Sequence, residues 1–388
     1  MPEASRRARL IELATLFLRL GVTAFGGPAA HVAMMEDEVV RRRGWLTRGA
    51  FLDYLGATNL IPGPNSTELA IHIGHARAGL AGLLTAGVCF ILPAAIISGI
   101  AAWAYVRWSM LPVAGALLYG VKPAVIAIVL QALIGLGHSS IRSRWLAIVA
   151  IVAAVLAAAG VHELVVLGLA AFASIVGAST PRSRAAAWVL VVLCLSAWSG
   201  AASALAAEPL APVSFTLTRL FLAFARIGSV LFGSGYVLLA FVRGEFVERL
   251  GWLTQQQLID ATAAGQITPG PVFTTATFIG YLLAGPRGAA TATLGIFLPA
   301  FVFVAISGPL VPRMRRSRIA SAALVGVNAA SLALMAVVSW QLARAAVVDW
   351  VTAVIGAAAL LALVRYRVNS AWLVGAGAAA GWARMLLH

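Results

Sequence analysis

Residues 80–105 pass without one charged side chain, and comparable apolar stretches recur at about 111–137, 145–160, 163–179, 185–205, 289–310, 320–343, 350–364 and 369–387. About 20 apolar residues is the length that crosses the hydrocarbon core of a bilayer as a helix. This pattern constrains the fold more than any motif, because a chain in lipid has to satisfy its backbone polar groups internally. The sequence is 61% hydrophobic and 11% charged, against about 25% charged in a soluble domain, so a soluble enzyme or binding module is excluded. The apolar content allows roughly ten crossings. The reading is an all-α polytopic membrane protein in a bacterial-type cytoplasmic (inner) membrane, surrounded by membrane lipid.

A formal charge of +15 would suggest nucleic acid in a soluble protein. Here the charges fall in short breaks between apolar runs, so they read as orienting signals, and no nucleic-acid partner is expected. Arg6, Arg7 and Arg9 precede the first apolar stretch as in a signal peptide. Glu12 and Arg19 interrupt that stretch and no small-residue cleavage site follows, so it reads as an uncleaved helix. Cys89 and Cys194 lie in apolar runs without the spacing of a metal site or a disulfide framework. Lys122, the sole lysine, lacks the glycine-rich run and following Ser or Thr of a Walker A loop. No cofactor, metal or catalytic constellation is expected.

The chain is a tandem duplication. Residues 17–64 align without a gap on 224–271, with 18 identities over 48 positions. Phe17, Arg19, Gly21, Phe25 and Gly26 match Phe224, Arg226, Gly228, Phe232 and Gly233. Glu38 matches Glu245, Gly44-Trp45-Leu46-Thr47 matches Gly251-Trp252-Leu253-Thr254, and Pro62-Gly63-Pro64 matches Pro269-Gly270-Pro271. With one residue deleted the register continues at an offset of 206, from Gly79 on Gly285 to Gly120 on Gly326. The expected organisation is a first repeat at 1–180, a linker with a connecting transmembrane helix at 181–213, and a second repeat at 214–388.

Charge placement orients the halves. If residues 8–77 enter and leave on the cytoplasmic side, five crossings separate the copies and the second is inverted. Inside loops then hold 18 arginines and outside loops 6, and equivalent loops exchange sign: Arg107 falls opposite the arginine-rich run 313–318. The fold expected is two homologous inverted-topology repeats with the N-terminus cytoplasmic. A homodimer is left open.

Residues 46–76 and 253–283 do not read as ordinary spans, because each carries polar residues around its Pro-Gly-Pro run. Such a run ends one helix and can start another. Broken (re-entrant or discontinuous) helices are expected there, with interhelical turns as the plainer alternative. Half-helices starting at Pro64 and Pro271 would present N–H groups and a positive dipole end, which suits an anion. The expected substrate-binding set is Asn59, Gly63, Asn65, Ser66 and Thr67 in the first copy and Gln266, Gly270 and Thr274 in the second. Arg19 and Arg226 join it, since a guanidinium inside a span is a functional hypothesis by default, with snorkelling to the headgroups as the rival reading. Gly26, Gly27, Gly233 and Ser234 follow those arginines and could add N–H donors. Lys122 reads equally as a substrate contact or an interfacial lysine.

Coupling to an ion gradient needs a buried carboxylate or histidine. The candidates are Asp53 and Asp260, Glu38 and Glu245, and Glu68, which occurs in the first copy alone. Glu38 and Glu245 have helix-spaced partners in Arg42 and Arg249. His72 and His75 read as satisfied or interfacial, with position 72 falling on Ile279.

Taken together, Phe-Gly-Gly-Pro at 25–28, Gly-Trp-Leu at 44–46, the run from Asn59 to Thr67 and Thr268-Pro269-Gly270-Pro271 resemble the chromate ion transporter family, in its long two-domain form. The resemblance implies a secondary transporter exporting chromate, a tetrahedral oxyanion with sulfate as its analogue, and so conferring chromate resistance. A transporter for sulfate or another anion, or an anion channel, is the alternative. The second half departs at Ser234-Gly235 and Val272-Phe273, so the half-sites are not equivalent.

Overall fold

The computed structural model describes residues 6–24, 27–108, 112–141, 143–177, 214–232, 237–366 and 368–387. The span expected at 185–205, the linker 181–213, Gly26, Gly233 and Ser234 lie outside the described residues. The first half runs α1 (Arg6–Thr23), α2 (Gly27–Glu36), α3 (Arg48–Thr58), α4 (Asn65–Trp108), α5 (Pro112–Ser140), α6 (Arg144–Ala158) and α7 (Glu163–Gly177). The second runs α8 (Leu217–Val230), α9 (Leu238–Val242), α10 (Gln255–Ile267), α11 (Thr275–Arg316), α12 (Arg318–Ala346), α13 (Trp350–Tyr366) and α14 (Ser370–Leu387).

Local chemistry sets the matching boundaries. Thr47 and Thr254 cap α3 and α10, each accepting from the backbone three residues on, and Gln257 completes a capping box in the second copy. α2 and α9 each run on into a π-helical turn, Asp37–Arg42 and Arg243–Arg249. One extra residue per turn widens the helix there. At the Pro-Gly-Pro runs, α3 and α10 stop and the chain restarts in the opposite limb.

α4 is two helices. Ala78 and Gly79 leave helical geometry, with Gly79 at φ 62°, and the chain folds back so that 65–77 packs antiparallel on 80–108. Gly74 and Gly82 let the two limbs touch backbone to backbone, since a Cβ on Gly74 would strike the Gly82 carbonyl. α11 repeats this at Ala284 and Gly285, with Gly280 against Gly288. The limbs are α4a and α4b, and α11a and α11b.

Packing between the halves is reciprocal. α1 packs on α4 and α8 on α11, while α4 and α11 pack on each other. Beyond this centre, α5 packs against α13 and α14 of the second half, and α12 against α6 and α7 of the first. Both crossings use a glycine at the equivalent position. A Cβ on Gly120 would meet the Gly377 carbonyl, and one on Gly326 the Ala170 carbonyl, so small residues set the helix approach.

The outer faces are apolar. Leu80, Leu84, Val88, Leu92, Ile96 and Ile100 form an exposed stripe along α4b, and Leu294, Leu298, Val302 and Ile306 form one on α11b. A one-turn period of exposed large aliphatics suits lipid and not water. Among the described residues, four helices are long and apolar enough to cross a membrane: Asn65–Trp108, Gly115–Gly137, Val272–Ser307 and Ile319–Ala346.

Candidate functional site

Four chain breaks meet in one place. Each half has a first break after α1 or α8 and a second at its Pro-Gly-Pro run. The Gly63 N–H donates to the Leu231 carbonyl at 2.8 Å, and the Gly270 N–H donates to the Ala24 carbonyl at 3.0 Å. Leu231 and Ala24 occupy the same repeat position, as do Gly63 and Gly270. Each second break is therefore bonded to the first break of the other half, and neither glycine N–H remains free for a ligand. Packing repeats the relationship: a Cβ on Gly63 would lie 3.6 Å from Ala300 Cβ, and one on Gly270 would lie 2.9 Å from Ala94 Cβ.

The first turns after the two prolines differ by one residue. The Glu68 N–H bonds to the Pro64 carbonyl four residues back, whereas the Thr274 N–H bonds to the Pro271 carbonyl three residues back. The second copy opens in a 3-10 turn, Val272–Thr274, and this tighter turn absorbs the one-residue deletion. It corrects the expected register. Glu68 is equivalent to Thr274, and His72 to Phe278 rather than Ile279, in step with Gly74 on Gly280.

The arginines are not lone intramembrane cations. Arg19 Nη2 lies 2.5 Å from Glu38 Oε1, and Arg226 Nη2 lies 3.1 Å from Glu245 Oε2. The π-helical turn lets Arg42 and Arg43 also reach Glu38, at 3.3 and 3.2 Å. Arg249 pairs with Glu245 in the second copy. Each cluster holds a buried carboxylate beneath guanidinium groups that stay about half exposed, 49% for Arg19 and 45% for Arg226. With Asp37 also on Arg42, the first cluster holds one more cation than anion, which suits transient capture of an oxyanion, whereas Glu163 and Glu248 beside the second bring its charges into balance. A cavity of about 310 Å³ beside the second cluster is lined by Arg243, Arg249, His162, Glu163 and Glu248. Burial, followed by the charge of Arg226, holds His162 below the ordinary imidazole range.

Other predicted residues scatter. Asn65 donates to Asn59 at 2.9 Å, and Asn59 to the Leu55 carbonyl, so this pair closes the first loop on itself. Ser66 faces His31 Nδ1 at 3.2 Å. Thr274 Oγ1 donates to the Pro271 carbonyl and accepts from Ser98 at 3.2 Å. Thr67 Oγ1 and Gln266 Nε2 are buried without a hydrogen-bond partner. Gly27 begins α2 at φ 76°. Lys122 is paired: its Nζ lies 3.0 Å from Asp260 Oδ1, and Tyr105 donates to Oδ2 at 2.8 Å. The counterpart Asp53 is exposed. A cavity of about 510 Å³ beside Asp260 is walled mainly by apolar residues of α4b and α5, which does not fit a dianion.

His31 and Tyr105 carried no signal that sequence reasoning used. His31 Nε2 is 3.0 Å from the Ala24 carbonyl, so it donates there and Nδ1 accepts from Ser66, tying the first half's two breaks together. Its counterpart by offset is Leu238, which hid the role from a search for matched pairs.

The family model for chromate transporters matches residues 11–176 and again 218–382, covering both halves. The chain belongs to the chromate transporter family. It is 31% identical over 391 residues to the chromate transport protein of Cupriavidus metallidurans, covering 95% of this chain and 92% of that one. The chromate transport protein of Pseudomonas aeruginosa is 32% identical over 297 residues, covering 75% and 71%. The probable chromate transport protein of Synechococcus elongatus is 32% identical over 324 residues, covering 83% and 81%. No solved structure matches the chain. Family and apolar helices together make this an integral membrane transporter of the chromate transporter family.

Proposed function

We infer that the chain is a secondary active transporter that exports chromate across the cytoplasmic membrane by alternating access, and thereby confers chromate resistance. The knot of four breaks carries this reading. Two half-helix N-termini, those of α4a and the turn into α11a, approach one place from opposite halves, and their cross-bonds are reciprocal. A twofold relation between the halves produces that pattern; with the repeats inverted and the N-terminus cytoplasmic, as the charge placement argues, rocking of one half against the other would expose the knot to each side in turn.

Chromate and sulfate are tetrahedral dianions, and half-helix N-termini stabilise them without a fixed counter-ion. Arg19 and Arg226, in equivalent positions with half-exposed guanidinium groups, suit handing the anion in and out. Lys122, largely buried and paired with Asp260, is given no part in this reading. Energy comes from an ion gradient.

Proteoliposomes loaded with chromate provide the test. Saturable efflux that external unlabelled chromate accelerates is the result expected of a carrier. Flux linear in concentration with no counter-flow would make the protein a channel, and sulfate competing better than chromate would reassign the substrate. Everted vesicles that accumulate chromate, beside right-side-out vesicles that do not, are expected for an exporter.

A further inference from the structure

Among the described residues, a carboxyl group with both oxygens buried and unpartnered lies against the first Pro-Gly-Pro run. Glu68 is 0% exposed and neither carboxyl oxygen has a hydrogen-bond partner. Its carboxyl touches the turn itself, since a Cβ on Gly63 would strike Glu68 Oε1. The repeat relation explains why it is unsatisfied. Its counterpart Thr274 is met by Ser98, and the residue equivalent to Ser98 is Val304, which offers no hydrogen bond. An unpaired carboxylate in such a place calls for a proton or a counter-charge to offset its burial.

Glu68 also begins a line of titratable groups. His72 follows one turn later, 6% exposed with Nε2 unpartnered and its ring stacked on Tyr54 at 5.4 Å. His75 follows on the same face and is exposed. The stripe climbs from the buried break to the open end of α4a. The equivalent positions in the second half, Thr274, Phe278 and Tyr281, hold neither a carboxylate nor an imidazole.

The surrounding elements add little charge. α3 contributes Tyr54, and its Asp53 is exposed. α2 contributes His31, held by Ser66 and Ala24. α1 contributes Glu12, which pairs with Arg77 at the open end of α4a, where Arg9 bonds the Arg77 carbonyl. Near this centre α11 presents the apolar Ala300 and Phe301.

We propose that Glu68 is the proton site coupled to the oxyanion site, filled along the His75–His72 stripe from the α4a end, so that one proton and one dianion bind together. This rests on the oxyanion reading above. Protonation removes a negative charge beside the break where the dianion binds, and a bound dianion in turn draws the proton onto the carboxyl. No bond other than O–H forms, and the proton comes from bulk water. Coupling of this sign is co-transport of proton and anion; one proton with one dianion moves one net negative charge, so an inside-negative membrane potential drives it outward. The second half has no such path, so proton access is one-sided.

Chromate titrated into purified full-length protein tests it by calorimetry in buffers of different ionisation heat, from neutral to alkaline pH, where free chromate is already a dianion. Expected is proton uptake that rises with pH towards one per chromate, with affinity falling by up to about tenfold per pH unit over that rise. Glu68→Gln, neutral and nearly the same shape, is expected to bind with no proton uptake and no pH dependence. His72→Phe, which keeps a ring against Tyr54, is expected to keep the stoichiometry but slow proton uptake in stopped flow with a pH dye. Wild-type binding whose affinity is independent of pH and that takes up no proton even at the alkaline end overturns the proposal, even if every variant misfolds. Undiminished uptake in Glu68→Gln also overturns it, and an unchanged rate in His72→Phe overturns the path. Wild-type protein that binds no chromate at any pH would instead sink the oxyanion reading.

Discussion

Gly63 of the first half donates its amide to the Leu231 carbonyl of the second at 2.8 Å, and the same bond one repeat away joins Gly270 to Ala24 at 3.0 Å. Each bond ties a Pro-Gly-Pro turn to the end of a helix that the other half supplies. If the halves rock as proposed, opening the centre would loosen at least one of these bonds.

Gly270→Ala is expected to cost about 1–3 kcal/mol, because its backbone φ of 87° is one that side chains rarely adopt. The added methyl would also sit 2.9 Å from Ala94 Cβ. Thermal unfolding in detergent measures the loss. A variant as stable as the wild type would show that the turn relaxes and that the cross-bond is dispensable.

The buried pair of Lys122 and Asp260 joins the two halves at a second point. Asp260→Asn is expected to destabilise by about 3 kcal/mol, since it leaves an ammonium group largely buried without its counter-charge. Adding Lys122→Met is expected to restore most of that loss. A double variant no better than Asp260→Asn alone would mean that the aspartate acts chiefly through Tyr105.

The duplication was legible in the sequence because its motifs recur in both copies, whereas the caps at Thr47 and Thr254 and the reversal at Gly79 were aligned there without being recognised for what they do. Arg19 and Glu38 were each legible too, but not as partners: they sit on different limbs of a broken hairpin, and helix spacing pointed Glu38 to Arg42. The pairing of Lys122 with Asp260 was hidden for a different reason. It crosses between halves and has no symmetric counterpart, because Asn328 stands where a second lysine would be. The register at Glu68 required three dimensions, as only a 3-10 turn shows where the deletion is absorbed.

The glycine contact that folds α4 back on itself separates packing from backbone strain. Gly74→Val would drive a side chain into the Gly82 carbonyl and is expected to lose 3 kcal/mol or more and most of the folded yield. Gly99→Val, on α4b with nothing within 4 Å of its Cβ position, is the control. It is expected to stay within about 1 kcal/mol of wild type. Equal losses in the two variants would mean that the limbs are not held by this contact.

The two arginine–carboxylate clusters make opposite predictions for the two partners. If Arg19 and Arg226 lend charge to a passing oxyanion, Arg19→Ala and Arg226→Ala each remove charge-assisted hydrogen bonds worth about 1.5–3 kcal/mol. Chromate affinity should then fall roughly ten- to hundredfold. Glu38→Gln takes away the anion that competes for Arg19, Arg42 and Arg43 and is expected to tighten chromate binding several-fold, at some cost in stability. Equilibrium binding to purified variants at fixed ionic strength reads both effects. Arginine variants that bind as tightly as wild type would reduce these clusters to struts bracing the broken hairpins. Weakened binding in Glu38→Gln would show that Glu38 holds Arg19 in place for the substrate instead of competing with it.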